Sequence, residues 1–212
     1  VGRAAAQGRY PERPITLLVP FGPGGIADLT ARAVAEHMGR TLGQPVVVEN
    51  KPGAGSIVAS QAVASAKPDG HTLLLMSNAN AVSVGLFRKL PYDPVKDFVP
   101  ITTLGYFDLG LFVPANSRFG SLNFPGERHP ALPQVPTAIE AGVAGYNVAS
   151  WNALAAPAGT PPAVIETLHR AAREAVSAAA VQDKLGRLGM RLAASTPAEL
   201  QALLAGEIQR WG

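Results

Sequence analysis

The chain contains no cysteine. Thiol nucleophiles, disulfides and cysteine-bound metals are therefore excluded, while the compartment stays open. Charge is sparse as well: 16% of the 212 residues are Asp, Glu, Lys or Arg, the net charge is +3, and the basic residues are scattered. A nucleic-acid footprint, which needs a basic stripe or patch, is not expected. No apolar run approaches the ~20 residues of a membrane-spanning helix. The histidines, His37, His71, His129 and His169, lack metal-ligand spacing and read as surface or helix positions, so no metal site is expected. What is plentiful is small and apolar: 47% hydrophobic residues, with 22 glycines and 19 prolines as punctuation. That composition is globular, and the length allows a sizeable core.

The most informative stretch is Ile15-Thr16-Leu17-Leu18-Val19-Pro20-Phe21-Gly22-Pro23-Gly24-Gly25-Ile26-Ala27-Asp28. An apolar run of strand length stops at Pro20, a loop with three glycines follows, and helical spacing begins near Leu29. A strand, a glycine-rich turn and a helix N-terminus together make an anion site, because unpaired N–H groups and the helix dipole point at the turn. Further on, residues 46–49 read as a buried strand and 57–66 as a small-residue helix with Ser56 as N-cap. Residues 71–76 read as a third strand. Strand, helix, strand, helix, strand predicts a parallel α/β sheet. Ligands bind such sheets outside the carboxyl ends of the strands, so Ser77 and Asn78 fall on the same edge as the glycine loop.

Residues 99–104 and 109–113 read as two further strands, and 114–136 as a loop of unusual length for a compact domain. Thr137-Ala138-Ile139-Glu140 is a capping box opening a short helix, and residues 147–155 read as a strand carrying Trp151. Thr160 is the expected N-cap of an Ala-rich helix with Pro161 at its first position. A shorter helix is expected over 181–188, and Thr196-Pro197-Ala198-Glu199 is a second capping box opening the last one.

The glycine loop admits three readings. Gly22-x-Gly24-x-x-Ala27 with Glu49 at the end of the next strand satisfies the letter of a dinucleotide fingerprint. Pro23 between the glycines, the break at Pro20 and the want of any catalytic constellation count against a nucleotide enzyme. The loop can also be a purely structural turn. Asp28, in the first helical turn, satisfies the dipole and repels an anion unless it points away, so its expected role is to hydrogen-bond loop amides. The third reading is a site for the carboxylate of a small acid.

Several stretches taken together carry a family resemblance: Pro20 through Gly25 with Asp28 and Arg32; Glu49-Asn50-Lys51-Pro52-Gly53-Ala54-Gly55; and Pro68-Asp69-Gly70-His71-Thr72-Leu73-Leu74. Leu90-Pro91-Tyr92-Asp93-Pro94-Val95-Lys96-Asp97-Phe98, Leu132 through Thr137, Glu140-Ala141-Gly142, and Trp151 with Ala156 through Pro161 complete the set. In this order and spacing the chain, from Tyr10 to Trp211, resembles the Bug (TctC) family, periplasmic solute-binding proteins of tripartite tricarboxylate transporters. The resemblance implies a binding protein of the periplasmic-binding-protein type II fold, without catalytic activity or cofactor. Its ligands would be small carboxylates and its partners transporter membrane subunits, and the mature chain would follow removal of a signal peptide. The ligand-binding residues it implies are Phe21, Gly22, Pro23, Gly24, Gly25 and Asp28, with Ser77, Asn78, Ser150 and Trp151.

Family members continue past the equivalent of Val113-Pro114-Ala115-Asn116-Ser117 into a complete second lobe and return through a segment seen here as Arg128 to Thr137. Only about residues 118–127 stand between the two in this chain. The expectation is therefore a single Rossmann-like lobe, a mostly parallel sheet flanked by helices. Its parts would be a flexible N-terminus (1–9), a first part (10–117), a short linker replacing the second lobe (118–136) and a return segment (137–212). Carboxylate binding would then be weak or lost, with an interaction or signalling module as the alternative and a homodimer through the uncovered cleft wall as a further expectation.

Overall fold

A computed structural model describes residues 10–118, 120–124, 126–146 and 148–211; the expected flexible N-terminus, 1–9, lies outside them. Its first half alternates strand and helix: β1 (Ile15–Val19), α1 (Ile26–Leu42), β2 (Val46–Asn50), α2 (Ile57–Ala64), β3 (Thr72–Ser77) and α3 (Asn78–Leu86). β4 (Phe98–Asp108) leads out to a small ribbon, β5 (Gly110–Leu111) with β6 (Leu122–Asn123), and β7 (Ala149–Pro157) returns to the sheet. α4 (Pro162–Ser177), α5 (Ala179–Gly186), β8 (Arg191–Leu192) and α6 (Pro197–Trp211) complete the chain.

The main sheet has the order β2-β1-β3-β7-β4-β8. β1 is parallel to both β2 and β3, whereas β7 is antiparallel to β3 and β4, and β8 is antiparallel to β4. Four strands thus run one way and two the other. The central strands are apolar on both faces because helices cover both. Leu73 and Leu75 of β3 face a core shared with α1, α4 and α5, including Val34, Met38, Leu168 and Leu185. Leu74 and Met76 face Ala59, Ala81, Trp151 and Leu200, beside α2, α3 and α6. Continuous apolar strands are what two-sided burial requires.

Several local readings differ from expectation. Residues 99–104 and 109–113 do not form two comparable strands; β4 runs unbroken to Asp108, and only two residues of β5 follow. Thr160 is not the N-cap of α4: its hydroxyl donates to the Pro157 carbonyl at 2.8 Å, and Pro161 takes the cap position. Ser56 does precede α2, but in a left-handed conformation and without a capping hydrogen bond. Both capping boxes form their reciprocal bonds, Thr137 with Glu140 and Thr196 with Glu199. The first closes only turns, since Gly142, with φ 95°, ends the segment before a helix can extend.

Gly105 fixes how β8 meets β4. Its φ is +157°, and a β-carbon there would lie 2.6 Å from the Arg191 carbonyl oxygen and 3.0 Å from the Leu192 α-carbon. Both obstacles are backbone atoms of the partner strand and cannot rotate away. Gly105→Ala is expected to destabilise the fold by about 2 kcal/mol. A urea midpoint unchanged from wild type would show that β8 yields freely.

Candidate functional site

The glycine loop is held by one buried carboxylate. Asp28, in the first turn of α1, accepts a 2.9 Å hydrogen bond from the Gly24 N–H. Arg32, one turn later, reaches it through Nε at 3.0 Å from both oxygens and through Nη2 at 3.0 Å. Asn50, at the end of β2, donates its amide to Asp28 Oδ1 at 2.8 Å and to the Phe21 carbonyl at 3.0 Å, and accepts from Arg32 at 2.9 Å. The Arg32 hydrogen bonds lower the Asp28 pKa to about 2, with Gly24 and Asn50 adding, against a desolvation that alone would raise it. The charge is neutralised locally, so it does not repel an anion arriving at the helix end. Asp28 was expected among the ligand-binding residues; its oxygens are instead engaged inside the protein, where it shapes the loop.

Phe21 is half-buried, while Gly22, Pro23, Gly24 and Gly25 are exposed. Gly24 has φ +87°, which only glycine adopts at little cost. A β-carbon on Gly22, Gly24 or Gly25 would meet nothing within 4 Å, so the backbone is bare towards solvent. Gly25 is the N-cap of α1 and supplies no capping side chain. The N–H groups of Ile26 and Ala27 have no helical acceptor by geometry and point into the same space.

The other half of the site stands at the same edge of the sheet, where β3 ends, β4 ends and β7 begins. Ser77 closes β3 and caps α3: its hydroxyl accepts from Ala79 N at 3.3 Å, and its own N–H donates to Asn80 Oδ1 at 3.0 Å. Asn80 is locked in turn by donating to Ser60 at 2.8 Å. Asn78 and Ser150 meet directly, Ser150 Oγ donating to Asn78 Oδ1 at 2.6 Å. That bond leaves the Asn78 amide N–H groups as the available donors. Among the described residues no hydrogen bond joins this pair to the glycine loop.

Trp151 does not belong with them. It is 1% exposed and packs in the core beside Leu74, Met76 and Leu200, on the opposite side of β7 from its neighbour Asn152. Alternation along a strand forces this: with Ser150 turned to one face, Trp151 must take the other. Asn152, which sequence reasoning passed over, pairs in register with Ser77 and with Gly105. Its side-chain amide is buried without a hydrogen-bond partner among the described residues. An Asn in a strand otherwise apolar apart from Ser150 was the available signal. Asn50 was visible as part of a Gly/Pro motif, but nothing local shows that it reaches across to α1.

A hollow of about 370 Å³ adjoins the first turn of α1, lined by Ile26, Phe107, Phe112, Leu132 and Leu188 among others. The arrangement therefore offers backbone donors at one point and an apolar wall beside it. A profile described as the tripartite tricarboxylate transporter family receptor, TctC, matches residues 30–124 and 123–212. The chain belongs to the TctC family.

Among curated relatives, this TctC-family chain is 30% identical to a Pseudomonas sp. (strain P51) protein described as the UPF0065 protein in the tcbD-tcbE intergenic region. That match covers 99% of this chain and 87% of the other. It is 28% identical to BugT of Bordetella pertussis (strain Tohama I), over 95% and 88% of the two chains. Two solved structures share its fold closely. The periplasmic binding protein BugD has a TM-score of 0.85 at 25% identity, covering 95% and 96% of the chains. MatC of Rhodopseudomonas palustris, solved with bound malate, has a TM-score of 0.86 at 28% identity, covering 95% and 98%. The Pseudomonas alignment spans 293 positions against 212 residues here, so the relative carries residues that have no counterpart in this chain. The two profile-matched stretches meet at Asn123 and Phe124, inside the ribbon between β4 and β7.

Two outcomes test the loop. Because Asp28 is held at about 2 in the fold against an ordinary 3.8, its stabilisation is complete above pH 4 and is lost as pH falls towards 2. Asp28→Asn should flatten the acid limb of a stability-versus-pH curve in that window; an identical limb would contradict the network. Gly24→Ala should cost about 1 kcal/mol through its left-handed backbone, while Gly22→Ala should stay within ~0.5 kcal/mol of wild type. Equal effects in thermal unfolding would remove the conformational argument.

Proposed function

We propose that the chain is an extracytoplasmic solute-binding protein for small carboxylates, working with a tripartite tricarboxylate transporter in a single-lobe form. The observation that carries this reading is the bare backbone of the 22–25 loop at the start of α1, with Asp28 neutralised beneath it. A ligand carboxylate would accept from the loop and first-turn N–H groups, bonds of ~1.5–3 kcal/mol each, without an arginine. Asn78, oriented by Ser150, would serve a second polar group of the ligand. MatC, related by both sequence and fold, carries malate, which supports a four-carbon dicarboxylate as the first ligand to try. The periplasm is the compartment this role requires, and transporter membrane subunits are the partners.

The linker at 118–136 stands, in this reading, where relatives carry the second lobe. One lobe presents half a cleft to water. Its donors remain, but screening weakens each contact and no opposing wall excludes solvent. Affinity should accordingly be poor. Isothermal calorimetry with malate and other four- to six-carbon dicarboxylates is expected to give a Kd of about 1 mM or weaker, near −4 kcal/mol. Nanomolar binding would overturn the single-lobe reading.

A second copy is the expected cover for the exposed wall. Leu111, Phe112, Ile139, Val143 and Leu188 are all exposed around the ribbon and the hollow beside it. Exposed apolar side chains of this kind favour association. Light scattering over a concentration series should show dimer growing with concentration; a strict monomer at all concentrations would contradict it.

A further inference from the structure

On the opposite side of the sheet from α1 and α4, the end of α3 makes a protruding tip that the carboxylate site does not use. Gly85, Leu86, Phe87, Arg88 and Lys89 are exposed in succession, with Leu86 at 72% and Phe87 at 38%. Arg88 and Lys89 form no ion pair with any described residue. Val95 lines a shallow groove together with Phe87 and Arg88, and the strongly exposed Lys96 follows it in sequence. The carboxylate on that groove, Asp93, is engaged by Lys96 at 3.3 Å and by the Val95 and Lys96 N–H groups. The base of the tip is tied to the fold. Phe87 N–H donates to the Ser83 carbonyl at 3.1 Å, and Ser83 Oγ donates to Gly55 O at 3.0 Å.

We propose that this tip docks the protein on an anionic lipid surface, with Leu86 and Phe87 entering the headgroup boundary and Arg88 and Lys89 meeting lipid phosphates. Two features favour lipid over an acidic protein. Leu86 projects outward instead of lining the groove, and a projecting apolar side chain inserts where a recessed one receives. The unpaired cations adjoin it in the same run, so apolar groups and positive charge reach the interface together. A chain of net charge +3 adds a general attraction to negative headgroups. The geometry is compatible with ligand binding. α3 begins at the site edge, and its nine residues carry the tip ~13 Å away, leaving the glycine loop uncovered.

The test is flotation of the purified chain with protein-free vesicles of phosphatidylcholine, alone or with about 30% phosphatidylglycerol. Binding is expected only to the anionic vesicles, and is expected to be lost in about 0.5 M NaCl. Arg88→Glu with Lys89→Glu should weaken it about tenfold or more, and Leu86→Ser with Phe87→Ser should also reduce it. Arg170→Glu with Arg173→Glu, the same charge change on exposed α4, should leave most of it, with all variants melting like wild type. No binding to anionic vesicles would overturn the proposal, as would equal loss in the α4 variant or full binding by both tip variants. Binding only to vesicles that contain transporter membrane protein would overturn it too, assigning the tip to a protein partner.

Discussion

The Asp28 carboxylate is the constraint on which the candidate site depends. It is buried at the start of α1 and binds the loop through Gly24, its own helix through Arg32 and the edge strand through Asn50. The loop and the helix that follows it are thereby fixed to a strand about twenty residues further along the chain. An acidic residue in a first helical turn would ordinarily satisfy the dipole and discourage an anion. Here the guanidinium of Arg32 neutralises it from below, and the carboxylate draws only Gly24 inward. The remaining donors of the turn stay outward. The network converts a flexible glycine run into a shaped set of N–H groups, at the cost of ordering one arginine and one asparagine.

The sheet supplies the other half of the arrangement. β1 and β3 are adjacent and parallel, so the loop after one and the Ser77–Asn78 corner after the other stand side by side. β4 leaves and β7 enters at that same edge, which puts Ser150 within 2.6 Å of Asn78. Between β4 and β7 the described residues form the small ribbon and turns, and the family profile breaks there. The sheet carries a core on each face, with helices outside both.

Much of this was legible in the sequence, for identifiable reasons. The apolar run into Gly22, the β-branched run at Val46 and the turn at Pro68-Asp69-Gly70 are strong local signals, and they placed the parallel strands β1, β2 and β3 correctly. The capping boxes at Thr137 and Thr196 were readable because their bonds span three residues. What escaped notice depends on distant partners. α3 begins in Ser77-Asn78-Ala79-Asn80, where no helix was expected; Asn80 caps back to Ser77 and is held by Ser60. β8 is two residues long and is defined by its pairing with Gly105 and Tyr106 of β4. Trp151 looked like a site residue from its neighbours in the motif, yet strand alternation turns it into the core. The family resemblance brought the carboxylate reading forward; the local pattern alone left a dinucleotide site and a bare structural turn open.

Whether the loop is an anion site on a single lobe, as proposed, is read directly by backbone amide chemical shifts. Titrating malate into ¹⁵N-labelled protein should move the amides of Gly22, Gly24, Gly25, Ile26 and Ala27, with Asn78, and should saturate only at about millimolar concentrations. Shifts confined to other surfaces, or none at the loop at any concentration, would contradict the account.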